Sequence, residues 1–455
     1  MKRLYLCFAV AMAVGCAPHR HAPKLDIPQQ YISSFEASGD TLSGDWWRVY
    51  NSPMLDELER LALENNKNLQ VAVSRIEAAR YELAVARSEF LPEVEAEIGA
   101  DAEYQTHHGT EHQFQIQPAV SWNLSLFGAL RHAVGEARAE ILSSEWAYQG
   151  VRLSLTVDVA TAYYTILQYD RLLKLAQRSL ELRRQSASLI DSLSRYGMST
   201  GLDLDQARSL VYIADSDTKQ YSRALAQAKL SLATLLGKTP EFVMAMDWEL
   251  DDAVDTLPEA LPVGIPSDLL SRRPDVMESY YELQAAGAKV GIARSNRFPS
   301  IALTSDGGLV GSTVKELFTS GYWSWGAAAK VVQPLFMFGR LKRQEQIARA
   351  EYEDAVLEYE QSVLTALKEV ESALVAISTY KSQREQYAEY VNANERIAEL
   401  TMALYRNGMS NYLDVISTQQ TWYNSQLQLV QLTSQQYINY ANLVMALGDG
   451  WQTIE

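Results

Sequence analysis

Two long stretches of the chain carry apolar residues at coiled-coil spacing. The steps alternate between four and three residues in the first stretch, and the second nearly repeats them with one stutter. The positions are Leu155, Val159, Ala162, Ile166, Tyr169, Leu173, Ala176 and Leu180, then Tyr352, Val356, Tyr359, Val363, Leu367, Val370, Leu374 and Ile377. Proline, which helix interiors exclude, is absent between Pro118 and Pro240 and after Pro334. The pattern predicts helices over about 129–196 and 340–407, each extending roughly 100 Å.

The second half of the chain repeats the first with a spacing of 211 residues. The segment from Arg195 to Asp203 matches the segment from Arg406 to Asp414, and each contains a Gly-Met-Ser turn. A spacing of 207 aligns Ala86-Arg87-Ser88 with Ala293-Arg294-Ser295. Each long helix is expected to be followed by a returning helix that ends at Gly237 or Gly448, since glycine commonly follows a helix end. The sequence therefore predicts two structural copies.

Each copy also contains two segments in which polar and apolar residues alternate. In the first copy these are the segment around Val94 to Ala100 and the segment from Gln115 to Leu126; in the second they are Pro299 to Val310 and Tyr322 to Val332. A period of two predicts strands with one apolar and one wet face. Their length suits tilted membrane strands, although a soluble four-stranded sheet would show the same alternation.

A sheet in lipid must close on itself, and four strands are too few to form a barrel. Several chains would therefore have to contribute strands. Two chains would give eight strands and a filled interior, whereas three give twelve strands and a lumen. The expected fold class is mainly α, with duplicated long coiled-coil helices and four β-strands per protomer that complete a twelve-stranded membrane barrel in a trimer.

The N-terminus has the pattern of a bacterial export signal. Lys2 and Arg3 precede an apolar stretch that stops at Gly15 and Cys16, and this stretch is too short to span a bilayer. The residues before Cys16 look like a lipobox, which predicts a signal peptide over 1–15 and lipidation of Cys16. An ordinary signal cut near Ala17 is the alternative. The other cysteine, Cys7, would leave with the signal, so no disulfide is expected in the mature chain.

Charge and motifs exclude several other classes of function. The formal net charge is −16, which argues against nucleic acid as a partner. The mature chain contains no nucleophilic cysteine, Gly-x-Ser-x-Gly elbow or phosphate loop, so neither catalysis nor a cofactor is predicted. The weak metal candidates His107, His108 and His112 fall between two predicted strands, where a solvated loop is the simpler interpretation.

Several short motifs resemble those of the TolC-like outer membrane factors of efflux and type I secretion systems. They are Asp45-Trp46-Trp47, Phe90-Leu91-Pro92, Arg272-Arg273-Pro274-Asp275-Val276 and Phe298-Pro299. Their order and the duplication are similar to that family over nearly the whole mature chain, and Cys16 is similar to its lipoprotein branch, which serves RND-type efflux systems.

The resemblance implies a lipid-anchored homotrimer in the outer membrane whose helices extend into the periplasm. A periplasmic adaptor protein and an inner-membrane transporter, of RND type, would be its partners. Implied divisions are an N-terminal tail and equatorial segment over 16–52, a first repeat over 53–238, an equatorial linker over 239–266, a second repeat over 267–448 and a tail over 449–455.

The resemblance also implies which residues form the closed mouth and its docking surface. The aperture would be lined by Asp203, Asp205, Asp414 and Tyr405. The adaptor would contact the hairpin tips, formed by Gly197, Met198, Ser199, Gly408, Met409 and Ser410. Asp203 and Asp414 could instead be helix N-caps. Ser410 and Ser417 stand where some relatives carry an arginine and an aspartate, which leaves the details of the latch open.

Three functions remain open. The first is a passive exit duct of a tripartite efflux system, for drugs, metals or other small molecules. The second is the duct of a type I protein secretion system, which the same architecture would serve. The third, of a different class, is a periplasmic coiled-coil scaffold without a pore.

Overall fold

The computed structural model describes residues 27–32, 44–106, 109–248, 266–319 and 323–448. Helices dominate these ranges, and two of them are 67 residues long. The α-helices are α1 (Pro53–Asn65), α2 (Lys67–Ser88), α3 (Ala129–Arg195), α4 (Gly201–Leu235), α5 (Pro240–Ala245), α6 (Leu269–Arg272), α7 (Pro274–Ser295), α8 (Val314–Thr319), α9 (Arg340–Arg406) and α10 (Tyr412–Leu447). Short 3-10 helices lie at Trp46–Tyr50 and Pro266–Asp268.

The strands form one antiparallel sheet in sequence order. They are β1 (Glu93–Gln105), β2 (Gly109–Leu124), β3 (Ser300–Gly311) and β4 (Trp323–Val332), and they lie in the order β1-β2-β3-β4. The first copy contributes β1 and β2, and the second contributes β3 and β4. The sheet is therefore built from two similar hairpins joined at the β2–β3 edge.

The inner strand β2 contains a proline, which is unusual because proline cannot donate a ladder hydrogen bond. Pro118 faces Ala96 on one side, and the pairing with β3 is interrupted between Ala119 and Ile116. Gly308 lies where this gap occurs, and a Cβ there would come within 2.1 Å of the Ile116 carbonyl oxygen. Glycine lets the two backbones approach at the point where Pro118 breaks the ladder.

The chain divides into two compact units, and the sheet belongs to the first. That unit contains residues 73–147 and 277–362 of the described chain. Within it, Lys289 lies 3.7 Å from Glu136 and Arg297 pairs with the buried Glu345 at 2.5 Å. Phe127 and Phe298 stack with ring centroids 5.0 Å apart. The Lys289–Glu136 and Phe127–Phe298 contacts join the two copies, whereas Arg297–Glu345 lies within the second copy.

The second unit has an aromatic core that explains the Asp-Trp-Trp motif. Trp46 donates from Nε1 to the Thr156 hydroxyl at 3.1 Å. The Tyr50 hydroxyl donates to the Tyr437 carbonyl oxygen at 2.8 Å, and the Tyr164 and Tyr437 rings stack at 4.7 Å. Buried hydroxyls with such partners avoid the cost of desolvation. The motif thus joins the first 3-10 helix to α3 and α10.

The Arg-Arg-Pro-Asp motif contacts the end of α10 in the same unit. The Arg273 side chain is 6% exposed and bonds Asp275 at 2.7 Å and Glu369 at 2.8 Å. Its Nη1 donates to the carbonyl oxygen of Ala446, one of the last in α10, at 2.9 Å. Arg273 therefore satisfies an acceptor that a helix end leaves without a partner and fixes α10 against α9.

The long helices and the strands agree with the sequence pattern. Helices α3 and α9 end one residue before the positions expected from the sequence, and α4 and α10 return as predicted. The strands β1 and β2 are longer than their predicted segments. Within the described ranges, none of the helices is long and apolar enough to cross a membrane. Of the predicted linker over 239–266, α5 is described, while residues 249–265 lie outside the described chain.

Candidate functional site

The register of the sheet separates polar from apolar side chains. On β1, the residues Val94, Ala96, Ile98, Ala100 and Ala102 share one face with Ile116, Val120 and Trp122 of β2. The same face continues through Leu303 and Leu309 of β3 and Trp323, Trp325, Ala329 and Val331 of β4. Val94 is 69% exposed and Trp325 is 75% exposed. A broad apolar surface is therefore left uncovered within the chain.

The opposite face of the sheet, here called the acidic face, is rich in carboxylates. The acidic residues are Glu93, Glu95, Glu97, Asp101, Glu103, Glu111 and Asp306. The residues opposite them are mostly neutral; the Gln115 amide, for example, donates to Glu97 at 3.2 Å. Among the described strand residues, the basic side chain on the acidic face is Lys330, which lies opposite Ala302. Exposed carboxylates on one face of a sheet suit a surface in contact with water.

The two predicted hairpin tips, which lie in the second unit, have the same backbone structure. Gly197 and Gly408 adopt φ of +69° and +73°, a region that suits glycine. The amide of Met198 donates to Leu193 at 2.8 Å, and the amide of Met409 donates to Leu404 at 2.9 Å. Together with the shorter bond from each glycine amide, this is the Schellman motif that ends a helix.

A capping box begins the helix after each tip. In the first copy the Asp203 amide donates to the Thr200 hydroxyl at 3.1 Å, while the Asp203 carboxylate accepts from the Thr200 amide at 3.1 Å. In the second, Asn411 and Asp414 form the same reciprocal pair. The N-caps are therefore Thr200 and Asn411. The expectation that Asp203 and Asp414 could be N-caps is wrong by three positions, because both are N3 residues whose carboxylates accept from the backbone amide of the N-cap residue.

Serines from the predicted adaptor surface hold these carboxylates in place. The Ser199 hydroxyl donates to Asp203 at 3.0 Å, and the Ser410 hydroxyl donates to Asp414 at 2.9 Å. The Thr200 hydrogen bonds hold the pKa of Asp203 below its ordinary value. Asp205 is 81% exposed and lies 3.9 Å from Arg208. All three carboxylates are thus near the tips, but only two are fixed by the turn.

A small core lies directly behind the tips and joins the two copies. Ile190, Ala207, Tyr412 and Val415 are buried there, with Tyr405 packed against them. The Tyr405 and Tyr412 rings lie 5.5 Å apart. Burial raises the pKa of Tyr405, with Ser199 and Asp203 of the first copy as its polar neighbours. The predicted gate residues Tyr405 and Asp203 are therefore brought together.

Apolar side chains at the tips themselves remain uncovered within the chain. Met198 is 74% exposed and Met409 is 70% exposed. Leu202 and Leu413, the second residues of the following helices, are also exposed. The pair of equivalent tips thus presents matching methionine and leucine side chains, which suit a protein partner.

A polar bridge between the copies was not predicted from the sequence. Arg183 of α3 donates from Nη2 to Oε1 of Gln420 in α10 at 2.7 Å, and it lies 5.9 Å from the Tyr423 ring centre. The Tyr423 hydroxyl lies 3.4 Å from Asp217 of α4. The duplication offers no signal for this bridge, because Arg183 has no basic counterpart at the equivalent position Asn394.

The metal and lipid candidates are only partly within the described chain. Cys16, His107 and His108 lie outside the described residues. His112 lies in β2 opposite Ala102. The described ranges contain no cluster of three or more potential metal-ligating side chains. Metal binding and lipidation therefore stay predictions.

Comparisons with known proteins place this geometry in a family. The model of the family described as "Outer membrane efflux protein" matches residues 58–238 and 265–449. The chain is 32% identical to the antibiotic efflux pump outer membrane protein ArpC of Pseudomonas putida, over 99% of this chain and 96% of that protein. It is 28% identical to the cation efflux system protein CusC of Escherichia coli O6:H1, over 99% of each.

A solved structure has the same fold. The chain matches the open state of the MtrE outer membrane channel of Neisseria gonorrhoeae with a TM-score of 0.85 and 25% identity, covering 96% of this chain and 98% of that one. These similarities confirm the predicted fold class, the outer membrane location and the class of efflux channel subunits. The chain belongs to the outer membrane efflux protein family.

Proposed function

We propose that this protein is the exit duct of a tripartite efflux system and that it works as a passive homotrimer. The observation that carries the proposal is the two-faced sheet: an apolar face on one side of four strands, and a row of carboxylates on the other. A membrane requires the apolar face, and a water-filled interior requires the acidic one. Neither face of the sheet is covered within the described part of a single chain. Three chains would supply twelve strands around one lumen.

The helices would continue this lumen into the periplasm as a twelve-helix barrel. Each chain would contribute two copies, over 53–238 and 267–448, with the segments 16–52, 239–266 and 449–455 outside them. The Asp203, Asp205, Asp414 and Tyr405 side chains would line the closed aperture. Like charges on a narrow axis attract cations.

The matching tips would be the docking surface for a periplasmic adaptor. The exposed Met198 and Met409 side chains support this, because methionine adapts to a partner surface. An inner-membrane transporter of RND type would supply the energy, so the duct itself would carry out no chemistry. Lipidation of Cys16 would anchor the mature chain to the outer membrane.

The cargo proposed is small and not strongly anionic. Relatives are named for efflux of antibiotics and of cations, and the acidic face has seven carboxylates for one lysine among the described strand residues. Such a surface concentrates cations and repels anions. A planar-bilayer recording of the purified trimer tests the proposal. Discrete conductance steps are expected. A soluble monomer without conductance would contradict the duct and favour the periplasmic scaffold.

A further inference from the structure

The segment Pro334–Gly339, which joins β4 to α9, leaves large apolar side chains in solvent. It is called the apolar loop below. Leu335 is 91% exposed, Phe336 is 76% exposed and Phe338 is 84% exposed. Phe336 and Phe338 contact each other, with ring centroids 4.7 Å apart. Exposed apolar groups packed this densely usually mark a surface that binds lipid or protein.

The backbone of the apolar loop is strained at one of these aromatic residues. Phe338 has a φ of +49°, in the left-handed region that is unfavourable for a residue with a Cβ. Such strain persists where the surroundings or a function require it. The strained residue directs its ring to solvent and not into the core. Among the described residues, its aromatic contact is with Phe336.

The first copy provides a matched comparison, because its residue at the same repeat position behaves differently. Phe127 corresponds to Phe338 at the spacing of 211 residues. The Phe127 ring stacks on Phe298 at 5.0 Å and an interplanar angle of 12°, and Phe127 is not among the described residues with positive φ. The helix start alone therefore does not require the conformation of Phe338.

Basic side chains without acidic partners follow the apolar loop. Arg340, Lys342 and Arg343 are exposed, and none of them forms an ion pair with a carboxylate among the described residues. The Arg340 guanidinium donates from Nη2 to the Met337 sulfur at 3.6 Å. The equivalent positions of the first copy are Ala129, Arg131 and His132, so two of the three fixed charges are specific to the second copy.

These cations and the apolar loop share one site. An open depression of about 250 Å³ is lined by apolar and basic side chains, which include Leu335, Phe336, Met337, Arg340 and Lys342. Arg297 also borders the depression, but Glu345 neutralises it at 2.5 Å. The site therefore combines a net positive charge with apolar walls, in a protein whose total charge is −16.

The position of the site in the chain identifies its occupant. The apolar loop begins two residues after Val332, the end of β4, and the apolar face of β4 leads to it through Trp325, Ala329 and Val331. A chain that leaves a bilayer at this point passes the layer of lipid phosphates. Aromatic and basic residues are favoured there, since their apolar parts contact acyl chains and their charges meet phosphates.

We propose that the apolar loop, together with Arg340 and Lys342, binds the phosphate headgroup and upper acyl chain of an anionic phospholipid where β4 leaves the membrane. The inference rests on the proposed function, which places the sheet in lipid. A free phosphate would account for the cations but not for the exposed Leu335 and Phe336. A second copy of the chain would have to bring carboxylates to these cations, and the position of the site directly after β4 favours lipid instead.

Native mass spectrometry of the purified trimer in neutral detergent tests this site. Short-chain phosphatidylglycerol, short-chain phosphatidylcholine and inorganic phosphate serve as probes. The intact protein is expected to prefer phosphatidylglycerol. The double variant Arg340→Gln with Lys342→Gln should lose that preference by about fivefold for each charge removed. The control Lys381→Gln with Arg396→Gln, exposed positions farther along α9, should keep it.

A second variant tests the apolar half of the site without changing charge. Phe338→Gly suits the local φ, so it should fold at least as well as the original protein, yet it should weaken binding of both phospholipids. The proposal is overturned if both double variants bind lipid equally, if Phe338→Gly binds both phospholipids as tightly as the original protein, or if inorganic phosphate binds as tightly as phosphatidylglycerol. It is also overturned if a cysteine at position 338 cross-links to a second chain and excludes lipid.

Conductance of the same preparations separates the two proposals. If the original protein conducts and the variants bind lipid as it does, the lipid site is wrong and the duct stands. If the original protein forms no pore, the duct itself is wrong.

Discussion

Arg183 and Gln420 connect the two copies by a 2.7 Å hydrogen bond from Nη2 to Oε1. Arg183 is 8% exposed, and burial lowers the pKa of its guanidinium. A buried cation needs partners, which Gln420, the Ser179 hydroxyl at 3.3 Å and the Tyr423 ring provide. The contact holds α3 against α10, above the core that lies behind the tips.

The first prediction concerns this bridge. Arg183→Met and Gln420→Ala should couple, with an interaction free energy of roughly 0.5–3 kcal/mol, because the two side chains are in direct contact. The free energies of unfolding of the single and double variants measure it. Arg178→Met, an exposed position on the same helix, should be additive with Gln420→Ala. Strict additivity for Arg183 would show that the hydrogen bond contributes nothing.

The second prediction concerns Glu59, a carboxylate buried in α1. Both of its oxygens lack a hydrogen-bond partner among the described residues, and burial raises its pKa well above the ordinary 4.5, with Asp56 adding to the shift. The folded protein therefore keeps a proton that the unfolded chain loses. Stability should fall as pH rises above 4.5, by up to about 1.4 kcal/mol per pH unit until Glu59 itself ionises.

Glu59→Gln should remove this slope, because glutamine does not titrate. Thermal unfolding followed by circular dichroism across acid to neutral pH measures the effect, and the variant should be the more stable protein at neutral pH. Glu57→Gln on the exposed side of α1 is the control, since hydrogen bonds from Arg60 lower the pKa of Glu57. An unchanged slope in Glu59→Gln would mean that Glu59 is ionised in the fold.

The third prediction separates two roles of Asp203 and Asp414. Asparagine keeps an acceptor for the capping box and removes the charge, whereas alanine removes both. Each alanine variant should therefore cost about 0.5–1 kcal/mol of stability. The double variant Asp203→Asn with Asp414→Asn, called the asparagine pair, should cost less. If the carboxylates line the aperture, the asparagine pair should still change closed-state conductance or block by cations. Identical recordings for the asparagine pair and the original protein would assign both residues to capping alone.

The fourth prediction concerns the acidic face of β1. Neutralising Glu95 and Glu97 together should shift the reversal potential in a salt gradient toward that of an unselective pore, because fixed carboxylates attract cations. Glu241→Gln on α5 removes one exposed charge outside the sheet and should leave selectivity unchanged. Equal selectivity in all three proteins would place the β1 carboxylates outside the ion path.

The fifth prediction concerns the anchor. Cys16→Ala should abolish incorporation of labelled fatty acid while leaving trimer migration on a gel intact, since the helices and the sheet lie elsewhere in the chain. A variant with Ala17 replaced by serine keeps the thiol and serves as the control. Label that persists in Cys16→Ala would refute lipidation at this residue.

The sequence predicted the elements that depend on repeated patterns. The heptad stripe placed the ends of α3 and α9 within one residue, because glycine stops both helices and proline is absent from both. The alternation in β1 and β2 predicted which face is polar, since side chains in a strand change sides at every residue. The duplication predicted that the two tips would be equivalent, and their hydrogen bonds are the same.

Features that depend on contacts between distant residues could not be predicted in this way. Arg183 and Gln420 are separated by 237 positions, and no local pattern pairs them. Periodicity places Glu59 on the apolar stripe of α1 with Leu55 and Ala62, but its polarity predicts an exposed side chain. The sequence did not identify Thr200 and Asn411 as the N-caps, because each is followed three positions later by an aspartate, a residue type that also favours the N-cap position. The strain at Phe338 depends on a backbone angle that its own residue type disfavours.

The central claim is that apolar strand faces from separate chains meet lipid while their acidic faces surround water. Planar-bilayer recording of the purified trimer tests it most directly, in a salt gradient, with the Glu95 and Glu97 variant beside it. The account predicts discrete conductance steps with cation preference that the variant reduces. Preparations that remain electrically silent, although trimeric and correctly folded, would contradict it.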